Sequence, residues 1–120
     1  MLLGGLRYLL PVIEEAHKMG IYVITADYLP NNIAHKYSDE YCNVSIIDKE
    51  AVLKTAQELK IDGILSHAVD PGVVIAAYVA EKMGLVGNSY ETALKANNKL
   101  LMRQAFAIAN VLCPQFECVN

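Results

Sequence analysis

Residues 21–26 read Ile-Tyr-Val-Ile-Thr-Ala, a β-branched block held between Gly20 and Asp27, and no other stretch constrains the fold as tightly. An apolar run of this kind, bounded by turn-forming residues, is a buried strand. Ahead of it Leu6, Leu9, Leu10, Ile13 and Ala16 recur at helical spacing. Pro11 fits a helix only in its first turn, which sets the start near Leu9. Gly20 supplies a left-handed terminator, and His17 and Lys18 fall in the last turn, where the helix dipole favours cations. Met1-Leu2-Leu3 runs into Gly4-Gly5 and reads as a short strand turning into this helix. The opening is strand, helix, strand.

The same alternation continues. Residues 27–40 form a polar connection with one helical turn at Ile33-Ala34, and residues 41–47 are a third strand. Asp48 caps a helix whose apolar stripe is Val52, Leu53, Ala56 and Leu59. Residues 61–66 are a fourth strand. Asp70 is expected to cap the next helix, with Pro71 in its first turn. Residues 73–83 are apolar on nearly every side, which predicts deep burial, and Gly84 ends that helix. Leu85-Val86 is long enough only for a minimal fifth strand. Asn88 or Ser89 caps a short helix to about Ala96, Asn97-Asn98 interrupts it, and a last amphipathic helix runs from about Lys99 to Ala109. Residues 111–120 read as an extended tail containing Pro114.

Strands alternating with helices give βαβ units and a parallel sheet with right-handed crossovers. The expected fold is a three-layer, Rossmann-like α/β arrangement with strand order 3-2-1-4, a short fifth strand at the edge, and helices on both faces. A hydrophobic share of 54% favours strands two to four buried on both faces over an open sheet with one wet side. A net charge of −3 gives no electrostatic case for nucleic acid or an anionic membrane. No apolar run approaches the roughly 20 residues that span a bilayer, and the first residues lack the pattern of a signal peptide. Cys42, Cys113 and Cys118 are odd in number and irregularly spaced, so neither disulfide framework nor metal site is indicated. A reduced, cytoplasmic protein is expected.

In parallel sheets ligands sit beyond the carboxyl ends of the strands. The residues there are Gly4 and Gly5, Asp27, and the run from Ser66 through His67 to Asp70. Gly4-Gly5 lets a backbone approach an anion at a helix start, and equally serves as a plain tight turn. It matches neither the six-residue glycine fingerprint of dinucleotide folds nor the Gly-Lys-Ser/Thr phosphate loop. Asp27 stands where dinucleotide folds place a ribose-binding acid, and is also a good loop starter. His17 reads as a helix-end surface residue and His35 as a polar loop residue; His67 alone of the three histidines sits at a strand end. The chain carries no complete catalytic set and no metal site.

The order of signals resembles the N-terminal domain of the ATP-grasp superfamily, and within it the carbamoyl-phosphate synthase large subunit. The resemblance is carried by Leu2-Leu3-Gly4-Gly5, by residues 20–26 running into Asp27, and by Pro30 with Tyr37-Ser38-Asp39. It continues through the Asp48-capped helix, Ile61-Asp62-Gly63-Ile64-Leu65, Ala80-Glu81-Lys82-Met83-Gly84-Leu85 and Gly87-Asn88-Ser89. It ends with Asn98-Lys99-Leu100-Leu101-Met102-Arg103 and Cys113-Pro114-Gln115-Phe116. The Leu85-Val86-Gly87 segment is shorter than the family's usual Gly-Leu-Pro-x-x-Gly. The resemblance implies residues 1–96 as an N-terminal α/β domain and residues 97–120 as a helix and tail leading toward an ATP-grasp domain beyond this chain. It implies an ATP-dependent ligase that activates a small-molecule carboxylate as an acyl phosphate, with ATP and Mg²⁺ as cofactors of the intact enzyme. The metal carboxylates and most nucleotide contacts belong to the other domains, so the 120-residue chain alone is expected to be inactive. Lys99 is the residue it assigns to the ATP phosphates, and Gly4, Gly5, Asp27, His67 and Asp70 would line the substrate side. The stump of strand one and the tail make a homodimer a further expectation. The alternative is a stand-alone small-ligand-binding or regulatory module of the same topology.

Overall fold

A computed structural model describes residues 1–117. Four short strands, β1 (Leu2–Leu3), β2 (Ile24–Asp27), β3 (Glu40–Asn43) and β4 (Leu65–Ser66), form one parallel sheet in the order β3-β2-β1-β4. The register pairs Leu2 with both Thr25 and Leu65, and Ile24 with Glu40. The helices are α1 (Leu10–Lys18), α2 (Lys49–Glu58), α3 (Asp70–Met83), α4 (Tyr90–Asn97) and α5 (Lys99–Ile108), with 3-10 turns at Arg7–Leu9 and Ile33–Lys36.

Successive strand residues point to opposite faces, so two cores form. Leu3, Ile24, Ala26 and Val44 pack with Val52 and Ala56 of α2 and with Ile75 and Val79 of α3. Leu2 and Val23 pack on the other face with Leu9, Ile13 and Ala34. The Tyr78 hydroxyl donates a 2.8 Å hydrogen bond to Glu50 and ties α3 to α2. Caps set the helix starts: Asp48 accepts from the Ala51 amide, Ser89 from Thr92 and Asn98 from Leu101.

The sheet order and the two-sided helix cover match the sequence reading; several boundaries do not. β2 begins at Ile24, because the Ile21 amide is still bonded to the Ala16 carbonyl at the helix exit, leaving Ile21 and Tyr22 exposed. β3 stops at Asn43, four residues short of the expected end, where the chain turns into the Asp48 cap. β4 keeps only Leu65–Ser66 and lies at the sheet edge, where Leu65 is 52% exposed. Burial on both faces therefore holds for β1 and β2 alone. Leu85-Val86 form no strand, and Val86 is fully in solvent. Asp70 is not a cap. Val69 takes that place and Asp70 is the first helical residue, because the turn after β4 is closed by the Ser66 hydroxyl on the Val69 carbonyl. An acidic residue there still meets the favourable end of the helix dipole. Cys42 and Cys113 are free thiols; Cys118 and the end of the tail lie outside the described residues.

Candidate functional site at the strand ends

β1 has β2 on one side and β4 on the other, so the strand order reverses at its carboxyl end. A crevice opens at such a point between the following connections. The sequence places Gly4 and Gly5 at this spot, Asp27 beside them on β2, and His67 and Asp70 beyond β4. Gly4 has φ +107°, a conformation open to glycine and strained for other residues, while its amide still donates to the Ala26 carbonyl at 2.8 Å. A Cβ on Gly4 would press on Val69 and Leu9 at 3.2 and 3.3 Å. The connection after β4 thus touches the β1 turn directly.

Gly5 answers to a different neighbour. A Cβ there would stand 2.6 Å from both Asn32 and His35, and the Gly5 carbonyl accepts from the Ala34 amide at 3.0 Å. What approaches this glycine is the protein's own loop of residues 28–36. Asp27, only 8% exposed, holds that loop: its carboxylate accepts from the Leu29 amide at 3.1 Å and the Asn32 side-chain amide at 3.2 Å. Its bonds are those of a loop organiser. His67 and Asp70 are exposed and make no side-chain hydrogen bond among the described residues. Ala68 between them has φ +55°, unusual for a residue with a side chain.

The sequence reading missed a polar cluster on β2. Thr25 is fully buried, and its hydroxyl lies 2.8 Å from His35 Nδ1 and 2.8 Å from the Ser38 hydroxyl. His35 Nε2 lies 3.2 Å from the Leu29 carbonyl, and the ring rests on Tyr41 with centroids 4.0 Å apart. The signal was available: a hydroxyl at an inward strand position needs a buried partner. Burial holds the His35 ring below the ordinary histidine range, against the opposing pull of the Leu29 carbonyl and the Asp27 charge.

Lys99 opens α5, which packs on α4 and contributes no buried residue. Its ammonium has no hydrogen bond or ion pair among the described residues, so the structure does not join it to the strand-end group. Among the described residues no three His, Cys, Asp or Glu side chains converge as metal ligands. A groove of about 960 Å³ lies at the opposite, amino-terminal edge of the sheet, lined by Val12, Ala16, Tyr22, Ile64, Leu65 and Val86. It contains none of the strand-end residues, so size alone does not locate the site. No described helix is long and apolar enough to cross a membrane.

Comparison with solved structures adds to this geometry. Phosphoribosylglycinamide synthetase from Anaerococcus prevotii matches 91% of this chain with TM-score 0.83 and 27% identity. N5-carboxyaminoimidazole ribonucleotide synthetase from Thermotoga maritima matches 99% with TM-score 0.78 and 20% identity. L-amino acid ligase from Bacillus licheniformis matches 91% with TM-score 0.73 and 21% identity. The second and third likenesses speak for the fold alone. The chain spans 28%, 33% and 29% of those three proteins' lengths. No family model and no curated protein sequence matches the chain.

Proposed function

We propose that this chain is the N-terminal, substrate-side domain of an ATP-grasp carboxylate ligase, its remaining domains lying in a longer protein. The observation that carries the reading is the likeness, over 91% of the chain, to a synthetase three times its length. The order of motifs from Gly4-Gly5 to Lys99 supports it independently of the structure. In this reading residues 1–96 form the domain and residues 97–120 lead toward the nucleotide-clamping part. A carbamoyl-phosphate synthase-like member is one form of the proposal, supported by the motif order and not singled out by the structural likenesses.

The chemistry is carboxylate activation. A carboxylate oxygen attacks the γ-phosphorus of ATP, ADP leaves, and an amine displaces phosphate from the resulting acyl phosphate. This chain's share is to shape the crevice at the end of β1, with His67 and Asp70 free to meet substrate and with Gly4, Gly5 and Asp27 building its floor. Lys99 would offset charge on the ATP polyphosphate, as a compact cation at a helix start can. Mg²⁺ and ATP would be cofactors of the intact enzyme. The described residues gather no ligand set for the metal, so its ligands would come from the other domains. The test is ATP cleavage by the longer protein: ADP and phosphate released only when a carboxylate is supplied support the reading, and AMP with pyrophosphate contradicts it.

A further inference from the structure

Large apolar side chains left in water gather at both ends of the strands. At the carboxyl end, Leu6 and Tyr8 of the connection after β1 are exposed, as are Tyr28, Leu29, Ile33 and Tyr37 after β2. The two segments touch: the Gly5 carbonyl accepts from the Ala34 amide, and a Cβ on Gly5 would meet Asn32 and His35. At the amino end, exposed Ile21, Tyr22, Leu65 and Val86 border the groove of about 960 Å³. Apolar patches of this breadth on a folded chain mark contact surfaces.

The two ends carry opposite charge. Residues 6–9 and 28–37 hold Arg7 and Lys36 and no acid, in a chain of net charge −3. Among the described residues neither cation has an ion-pair partner. Asp27, one residue ahead of the second segment, is buried and bonded to the loop it starts. The groove has Glu40 and Asp62 against Lys60, and Asp39 adjoins Glu40 in the chain. The Met1 amine at this end is bonded to the Gly63 carbonyl at 2.7 Å. Glu40 accepts from the Tyr22 hydroxyl at 3.4 Å, so acid and ring share one spot.

We propose that the cationic, tyrosine-rich patch of one copy docks on the acidic groove of a second copy, head to tail. Like ends would set cation against cation or acid against acid, which disfavours a two-fold pairing of either patch with itself. The patches stand at opposite ends of the sheet, so one chain cannot bring its own pair together. A docked pair therefore leaves one patch and one groove free, and association runs beyond the dimer. The patch is built before contact, because the Asp27 carboxylate and the Gly5 carbonyl already hold its loop. Aromatic and arginine side chains with few acids are also what the centre of a protein contact favours. This inference is independent of the ligase reading, since it needs only this chain.

The test is sedimentation of the 120-residue chain. Its average mass should rise past that of a dimer as concentration increases, and fall when salt screens the charges. Tyr28→Asp places an acid in the patch and Ile21→Asp places one at the groove; each variant alone should be monomeric. Mixed, they should form a one-to-one pair and nothing larger, because one keeps a sound groove and the other a sound patch. A wild-type chain that stays monomeric, a variant that assembles as the wild type does, or a mixture that stays monomeric would overturn the proposal. NMR of the wild-type chain decides the same point without variants. Shifts that move with concentration should fall on residues 6–8, 19–22 and 28–37, and movement confined to other surfaces would sink the head-to-tail contact.

Discussion

The carboxylate of Asp39 accepts a 2.7 Å hydrogen bond from the amide of Val23, fastening the start of β3 to the start of β2. The same oxygen lies 2.9 Å from His17 Nε2, which brings α1 to the junction. The Val23 amide first, and His17 after it, hold the Asp39 carboxyl below its usual range. A depressed carboxyl contributes stability that is present above its unfolded value and lost as pH falls through the folded one. Unfolding stability of the wild-type chain should therefore drop through the carboxyl range, below about pH 4. Asp39→Asn should be less stable at neutral pH and show a shallower acid limb in denaturant melts taken across pH. An unchanged acid limb would mean that Asp39 is solvated in both states.

What was legible in the sequence was what local chemistry decides. The Asp48 and Ser89 caps depend on residues three apart, and the parallel pairing of the strands follows from strand-helix alternation with right-handed crossovers. Strand ends were not legible. Ile21 and Tyr22 have the composition of a strand, yet the Ile21 amide is still bonded to the Ala16 carbonyl of the helix exit, and contact with the β3 side begins only at the Val23 carbonyl. Nor was the role of Gly5. Its open side reads as room for a ligand until the loop is folded and His35 and Asn32 fill it. Thr25 and His35 meet across ten residues of chain, and their pairing became visible only with the loop in place.

The isolated chain should neither hydrolyse ATP nor bind Mg·ATP tightly. Among the described residues no metal-ligating group of three side chains forms, and Lys99 is exposed on a helix that contributes nothing to the core. Calorimetry is expected to show no saturable heat at micromolar protein. Tight binding, or steady phosphate release by the purified chain, would show that the nucleotide site lies within these residues.

If Lys99 meets the ATP phosphates in a longer ligase as proposed, Lys99→Ala there should weaken ATP use while leaving the fold intact, because Lys99 is exposed at a helix start. A charge-assisted hydrogen bond is worth roughly 1.5–3 kcal/mol, so ATP-dependent turnover should fall by about one to two orders of magnitude. Lys99→Arg should restore part of the loss, since either cation can meet a phosphate. Steady-state kinetics with thermal unfolding as the control checks this. Unchanged ATP dependence would make Lys99 a surface residue.

The most direct measurement follows the oxygen. If a carboxylate attacks the γ-phosphorus and an amine then displaces phosphate, one carboxylate oxygen must leave with that phosphate. The longer protein, given ATP, an amine and a carboxylate labelled with heavy oxygen, is predicted to release phosphate carrying one labelled atom per turnover. Label appearing in AMP, or phosphate released without label, would contradict carboxylate activation by phosphoryl transfer and with it the assignment of this chain to such an enzyme.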